Sequence, residues 1–243
     1  MLSVGGLRKA FGGVAALRDL SFSVDRGEVL ALIGPNGAGK TTCFNVIHGQ
    51  LAPDAGDVLF EGRSIAGMPT HAIARRGVGR TFQVAATFAS MTVRESVILA
   101  LIARDHGDAR VATGLLPKAS READALLDRV RIADLADTHC AALAYGDAKR
   151  VELALALAGN PRLLLMDEPT AGMPPRSRRE MMQLATGLVR EGQAAMLFTE
   201  HDMDVVFEFA DRIIVLNRGT VVAAGSPASI RANPVVKAIY LGS

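Results

Sequence analysis

Residues 34–41 read Gly34-Pro35-Asn36-Gly37-Ala38-Gly39-Lys40-Thr41, and Thr42 follows. This G-x-x-x-x-G-K-T pattern constrains the fold more than any other stretch, because it belongs between a buried strand and a helix. Both flanks are legible. Val29-Leu30-Ala31-Leu32-Ile33 is a short apolar run, as a buried parallel strand should be. Thr42 to His48 can be helical and stops at Gly49. The glycines let the backbone curl so that successive N–H groups point at an anion. The helix N-terminus adds its dipole. Lys40 supplies a point charge for the β- and γ-phosphates of a nucleotide, and Thr41 offers a hydroxyl to Mg²⁺. A glycine-rich turn with a chance lysine would carry neither these flanks nor the partner motif that appears later in the chain.

A chain of 243 residues can bury a full core as one large domain or two small ones. Its 49% hydrophobic and 21% charged residues match a soluble globular protein. No apolar run approaches the roughly 18–20 residues that span a bilayer. Arg8 and Lys9 interrupt the N-terminus, so no signal peptide is expected. Cys43 and Cys140 lack metal-type spacing, which points to reduced thiols in a cytosolic setting. A net charge of +2 makes no case for nucleic acid as a partner, and the absence of Trp disfavours a base-stacking surface.

Along the chain, Leu20, Phe22 and Val24 alternate with polar residues, as on a half-buried strand. An antiparallel β layer is expected at the N-terminus, leading into a parallel core. Phe11 sits in this layer, where it could stack on an adenine ring or serve as an edge-strand core residue. Pro53 to Gly56 is a turn, and Val58 to Phe60 a strand closed by Glu61-Gly62. Thr70 to Arg76 reads as a helix ending at Gly77, and Val78 to Phe82 as a strand ending at Gln83. Thr92-Val93-Arg94-Glu95 is a capping box opening a helix through Ala103. Asp105 to Pro117 reads as a loop, Ser120 as the cap of a helix to about Val130, and Asp147 to Ala158 as a helix. Residues 85–159 thus form a helical insertion, with the α/β core in 1–84 and 160–243. Leu163 to Met166 is a buried strand ending in Asp167-Glu168. Met181 to Arg190 is helical, Ala195 to Phe198 a strand leading to His201, and Asp202 a helix cap. Ile213–Leu216 and Val221–Ala224 form a hairpin, and a short helical tail closes the chain.

Four strand ends therefore carry polar residues: Lys40/Thr41, Gln83, Asp167/Glu168 and His201. In an open parallel sheet, ligands bind at the carboxyl ends of strands. An Asp after an apolar strand in a phosphate-loop protein holds Mg²⁺ directly or through water. A second carboxylate beside it can orient or deprotonate a water, and a nearby histidine can hydrogen-bond that water or the γ-phosphate. Singly, Asp167-Glu168 could be a solvated loop start and His201 a structural histidine. Their order and strand context argue against both.

Together these residues resemble an ATP-binding-cassette (ABC) ATPase over essentially the whole chain. Gly34–Thr41 matches the Walker A motif, Leu163–Asp167 the Walker B, Glu168 the catalytic glutamate, Gln83 the Q-loop and His201 the switch histidine. Phe11 matches the adenine-stacking aromatic. Leu143-Ala144-Tyr145-Gly146-Asp147 occupies the signature position. Ile73 to Gly77, Arg80-Thr81-Phe82-Gln83, Glu200-His201-Asp202-Met203 and Tyr240-Leu241-Gly242 resemble the first ATP-binding subunit of branched-chain amino-acid importers.

The resemblance implies a P-loop fold with a RecA-like parallel-sheet core, an antiparallel β layer and a helical subdomain. It implies ATP as ligand, with Mg²⁺ on Thr41, Gln83 and Asp167 and catalysis by Glu168, His201 and Gln83. It also implies a dimer with a second ATP-binding subunit, transmembrane permease partners, a periplasmic solute-binding protein acting indirectly, and a peripheral place on the cytoplasmic face of the membrane. Phe88 and Met91 are candidate permease contacts or core residues. An exporter ATPase, for lipid or polysaccharide, would carry the same motifs. A non-transport cassette usually fuses two cassettes or carries long insertions, which this chain lacks. Two departures stand out. Ala144 and Asp147 replace the usual serine and glutamine of the signature, and Pro174 stands where the family often has Asp.

Overall fold

The computed structural model describes residues 1–81, 89–106 and 116–241. Strands β1 (Leu2–Phe11), β2 (Val14–Val24), β4 (Ala55–Phe60) and β5 (Arg63–Ser64) form an antiparallel sheet in the order β2-β1-β4-β5. A second sheet holds β3 (Val29–Ile33), β6 (Val78–Arg80), β7 (Leu163–Asp167), β8 (Ala195–Thr199), β9 (Arg212–Asn217) and β10 (Thr220–Gly225). Its order is β10-β9-β3-β8-β7-β6, parallel throughout except for the β9–β10 hairpin. The expected antiparallel layer and parallel core are both present.

The alternation of side chains along each strand explains why this sheet is apolar on both faces. On β3, Leu30 and Leu32 join Leu7, Phe44 and Leu197 in a core shared by the two sheets and helix α1 (Lys40–Ile47). Val29, Ala31 and Ile33 face the other way, into a core with Met166, Phe198 and the buried sides of α5 (Tyr145–Ala158) and α6 (Pro175–Glu191). Every β3 side chain is buried, and each large one contributes about 1.5–3 kcal/mol. The strand that leads into Gly34 is thus clamped from both faces.

Helices α2 (Thr70–Arg75), α3 (Val93–His106), α4 (Leu116–Arg129), α7 (Met203–Phe209), α8 (Pro227–Ala232) and α9 (Pro234–Leu241) complete the fold. The capping box forms: the Thr92 N–H donates to Glu95 Oε2 at 2.8 Å, and the Glu95 N–H to Thr92 Oγ1 at 3.2 Å. Helix α3 packs on both α4 and α5. Among the described residues, no helix is long and apolar enough to cross a membrane.

Several boundaries differ from the sequence reading. Helix α3 continues to His106, so Asp105 is helical rather than the start of a loop. Helix α4 begins at Leu116, four residues before Ser120. Pro117 lies in its first turn, where a missing N–H costs nothing. Helix α6 begins at Pro175 rather than Met181, for the same reason, and Pro174 stands at its N-cap. Its first turns are polar, Arg176 to Glu180, so the apolar period starts late. Helix α5 begins at Tyr145, and β4 at Ala55, which pairs with Arg8. Phe82, Gln83 and Phe88 lie outside the described residues.

Candidate active site

The phosphate loop leaves β3 and enters α1 through tight backbone. Gly39 has φ +105°, and a Cβ there would meet the Ala16 carbonyl oxygen at 2.5 Å. The loop is braced from the far end of the chain. The Gly219 N–H, in the β9–β10 turn, donates to the Ala38 oxygen at 2.9 Å, and the Arg18 N–H donates to the Gly219 oxygen at 2.8 Å. Pro35, Asn36, Gly37 and Thr41 lie toward the surface of this loop, whereas Gly34 and Ala38 are buried. Thr42 is half-buried. Lys40 is buried, with Nζ donating to the Gly34 oxygen at 2.7 Å and to the Pro35 oxygen at 3.2 Å. Burial pulls its ammonium below the usual lysine range, against the opposing pull of Glu168 and Asp167.

In sheet order, the strands β3, β8, β7 and β6 are consecutive. Their carboxyl ends therefore meet. Asp167 pairs in register with Thr199 on β8. The Thr199 hydroxyl donates to Asp167 Oδ1 at 2.6 Å, while the Glu168 N–H reaches Thr199 Oγ1 at 3.0 Å. Glu168 has φ +49°, a left-handed backbone that costs a non-glycine residue about 1–2 kcal/mol. The twist carries its carboxylate to His201, whose Nε2 lies 2.7 Å from Glu168 Oε1. Both side chains remain partly open to solvent. Asp167, Glu168, Thr41 and Arg80 line a cavity of about 390 Å³ with Lys149 and Glu152 of α5.

Four side chains to which the sequence reading gave no site role frame this site. Thr199 orients Asp167. Buried Glu200 accepts the Thr170 N–H at 2.8 Å and the Thr170 hydroxyl at 2.6 Å, and the His201 N–H at 3.2 Å. It pins the turn after Glu168 beside His201. Lys149 and Glu152 form a buried ion pair at 2.9 Å. Polar residues at strand ends were the available signal for Thr199 and Glu200; a helical i,i+3 charge pair gave none, because such pairs are usually exposed.

The hard oxygens of Thr41 and Asp167 suit Mg²⁺, which keeps several waters and takes few protein ligands. No group of three or more His, Cys, Asp or Glu side chains among the described residues forms a metal cage. A cation between Thr41 and Asp167 would thus share its remaining positions with phosphate and water.

Phe11 is 47% exposed at the end of β1, with the Lys9 ammonium 5.7 Å from its ring centroid. That exposure argues against the core reading. The signature segment stands apart. Leu143 packs on the helical core, Ala144 is the N-cap of α5 with no side-chain hydrogen bond, and Tyr145 is exposed. A methyl on Gly172 would meet the Tyr145 ring at 3.3 Å. The Asp147 carboxylate lies 3.9 Å from Arg150.

Residues 17–171 match the model of the family described as ABC transporter. The chain belongs to the ABC transporter family. It is 38% identical to the "high-affinity branched-chain amino acid transport ATP-binding protein LivG" of Escherichia coli K12, covering all of this chain and 98% of that one. It is 33% identical to the "lipopolysaccharide export system ATP-binding protein LptB" of Haemophilus influenzae, covering 100% and 97%. A crystal structure of the ADP conformation of an ATP-binding cassette superposes with a TM-score of 0.89 at 31% identity, covering 100% of this chain and 99% of that one. The ABC ATPase fold and its ATP-binding cassette are therefore established for this chain. So is its likeness to amino-acid importer subunits, which exceeds its likeness to the exporter.

Proposed function

We propose that the chain is the ATP-hydrolysing motor subunit of an importer for branched-chain amino acids or related small polar solutes. The observation that carries the catalytic part is the 2.7 Å contact between Glu168 and His201, set on neighbouring strand ends beside Asp167. Lys40 and the loop N–H groups hold the phosphates. Asp167, with Thr41 and Gln83, holds Mg²⁺, which when bound offsets charge on the phosphates. Glu168 orients and deprotonates the attacking water, and His201 holds Glu168 and the γ-phosphate side in place. Phe11 stacks on the adenine ring.

The substrate class rests on the LivG likeness over the full chain. Helices α3 to α5 serve as the helical subdomain. A groove of about 760 Å³ between α2, α3 and α5 is the place for a permease subunit to dock, with Leu99 and Ile102 apolar and Arg75 and Arg104 basic. The chain then sits peripherally on the cytoplasmic face of the membrane. It pairs with a second ATP-binding subunit, and Leu143 to Asp147 face that subunit's nucleotide.

The LptB likeness supports a second reading, an export ATPase. Vesicles holding the chain with its co-purified permease subunits decide between them. ATP-dependent, binding-protein-dependent uptake of labelled leucine is expected. Lipid or polysaccharide extraction without amino-acid uptake would replace the import reading.

A further inference from the structure

Arg80 is the last residue of β6, one strand from Asp167, and its side chain is 8% exposed. Among the described residues the guanidinium makes three hydrogen bonds. It donates to Asn45 Oδ1 at 2.8 Å, to Gln50 Oε1 at 3.0 Å and to Asp167 Oδ2 at 3.3 Å. The order of these lengths is informative. A charge-assisted bond to a carboxylate is ordinarily the short one, near 2.7–2.9 Å, yet here the two neutral amides are closer. Arg80 is therefore anchored on the end of α1 and only loosely engaged with the carboxylate. Asp167 Oδ1 already accepts the Thr199 hydroxyl at 2.6 Å. Oδ2 is the oxygen a metal would take, and it is the one Arg80 faces.

We infer that Arg80 is a positioning residue that competes with the divalent cation for Asp167 Oδ2 and so sets how tightly the metal is held. This rests on the reading of Asp167 as the metal carboxylate. The anchors on Asn45 and Gln50 let the guanidinium give up Oδ2 without leaving the site or losing its remaining hydrogen bonds. Arg80 also lines both the cavity at Asp167 and the groove between α2, α3 and α5. Anything pressing on Arg80 from the groove changes the charge felt at Asp167, which gives the groove a physical route to the metal position.

The test is Mn²⁺ binding to the full chain at fixed ADP, followed by loss of the free-Mn²⁺ electron paramagnetic resonance signal and corrected with an ADP-only blank. Removing a unit charge this close to the carboxylate is expected to tighten Mn²⁺ binding about tenfold in Arg80→Gln. Arg80→Met keeps the packing over the Phe44 ring, where the guanidinium carbon now lies 5.8 Å from the centroid. It should tighten binding equally, and it decides the matter if the glutamine variant does not fold. Arg80→Lys keeps the charge and should stay near the parent affinity. Asp167→Asn is the control arm. If it binds Mn²⁺ like the parent, the metal reading of Asp167 fails. If it loses Mn²⁺ while the neutral Arg80 variants match the parent or bind more weakly, only the inference about Arg80 is overturned.

Discussion

The strand ends around Asp167 and the N-terminus of α5 are both polar surfaces suited to phosphate, yet they are built in opposite ways. At the strand ends the functional atoms are largely tied to a neighbour. Asp167 is held by Thr199, Glu168 by His201, and Lys40 by its own loop. These groups stand at or just beyond the ends of strands whose side chains are buried on both faces. At α5, Ala144 offers no side-chain cap, and Tyr145 is exposed. One region is organised before a ligand arrives. The other presents backbone N–H groups at a helix start and leaves geometry to whatever sits opposite. Mutations should therefore be severe in the first region and tunable in the second.

The largest effect is expected at Glu168. Glu168→Gln keeps the shape but cannot take a proton, so hydrolysis should fall by roughly 10²–10⁴ while ATP binding is retained. Turnover near the parent rate, measured by phosphate release, would break the comparison at its strongest point. Lys40→Ala comes next. Losing a charged hydrogen-bonding group at the phosphates should weaken labelled-ATP binding by about a hundredfold.

The α5 region should respond more gently and in the opposite direction. Ala144→Ser restores a hydroxyl at the N-cap, and about tenfold faster hydrolysis or tighter ATP binding is expected in the assembled dimer. No change in either would mean that the backbone at this helix start already suffices. In a heterodimer, disabling Glu168 should cost more than disabling the partner's glutamate. The site completed by Ala144 is expected to be the slower one.

The last effect concerns pH and touches stability rather than activity. His48, at the C-terminal end of α1, is buried, and burial with the nearby Arg80 pushes its pKa down to about 4. The unfolded chain takes up that proton near pH 6.5, so the folded state carries the neutral ring while the unfolded state charges. This stability is complete above about pH 6.5 and is lost as pH falls toward 4, by about 1–3 kcal/mol. His48→Gln should flatten the melting temperature between pH 7 and 4.5. An unchanged slope would assign the acid loss to other groups.

The strands, the phosphate loop and the Asp167-Glu168-His201 set were legible because burial on both faces writes continuous apolar runs, and polar residues punctuate their ends. Helix starts were less legible. Leu116-Pro117 and Pro174-Pro175 open helices with proline, so the cue usually taken as a break marks a beginning. The register that puts Thr199 on Asp167, and Arg80 on the same carboxylate, depends on strand order. Neighbours in the sheet are far apart in the chain, and no local pattern records which strands meet. The fate of Phe11 turned on exposure, which an alternating pattern at a strand end leaves open.

The bracing of the phosphate loop by Gly219 has a consequence for how the protein is made. The loop's strand, β3, is flanked by β8 and β9, and the loop itself leans on the β9–β10 turn. On a ribosome delivering about 5–20 residues per second, the roughly 180 residues between β3 and β9 take about 10–40 s to emerge. For most of that interval a fully apolar strand has neither of its sheet neighbours in place, and the loop lacks its brace at Gly219. The early β3 segment is where a chaperone has most reason to bind.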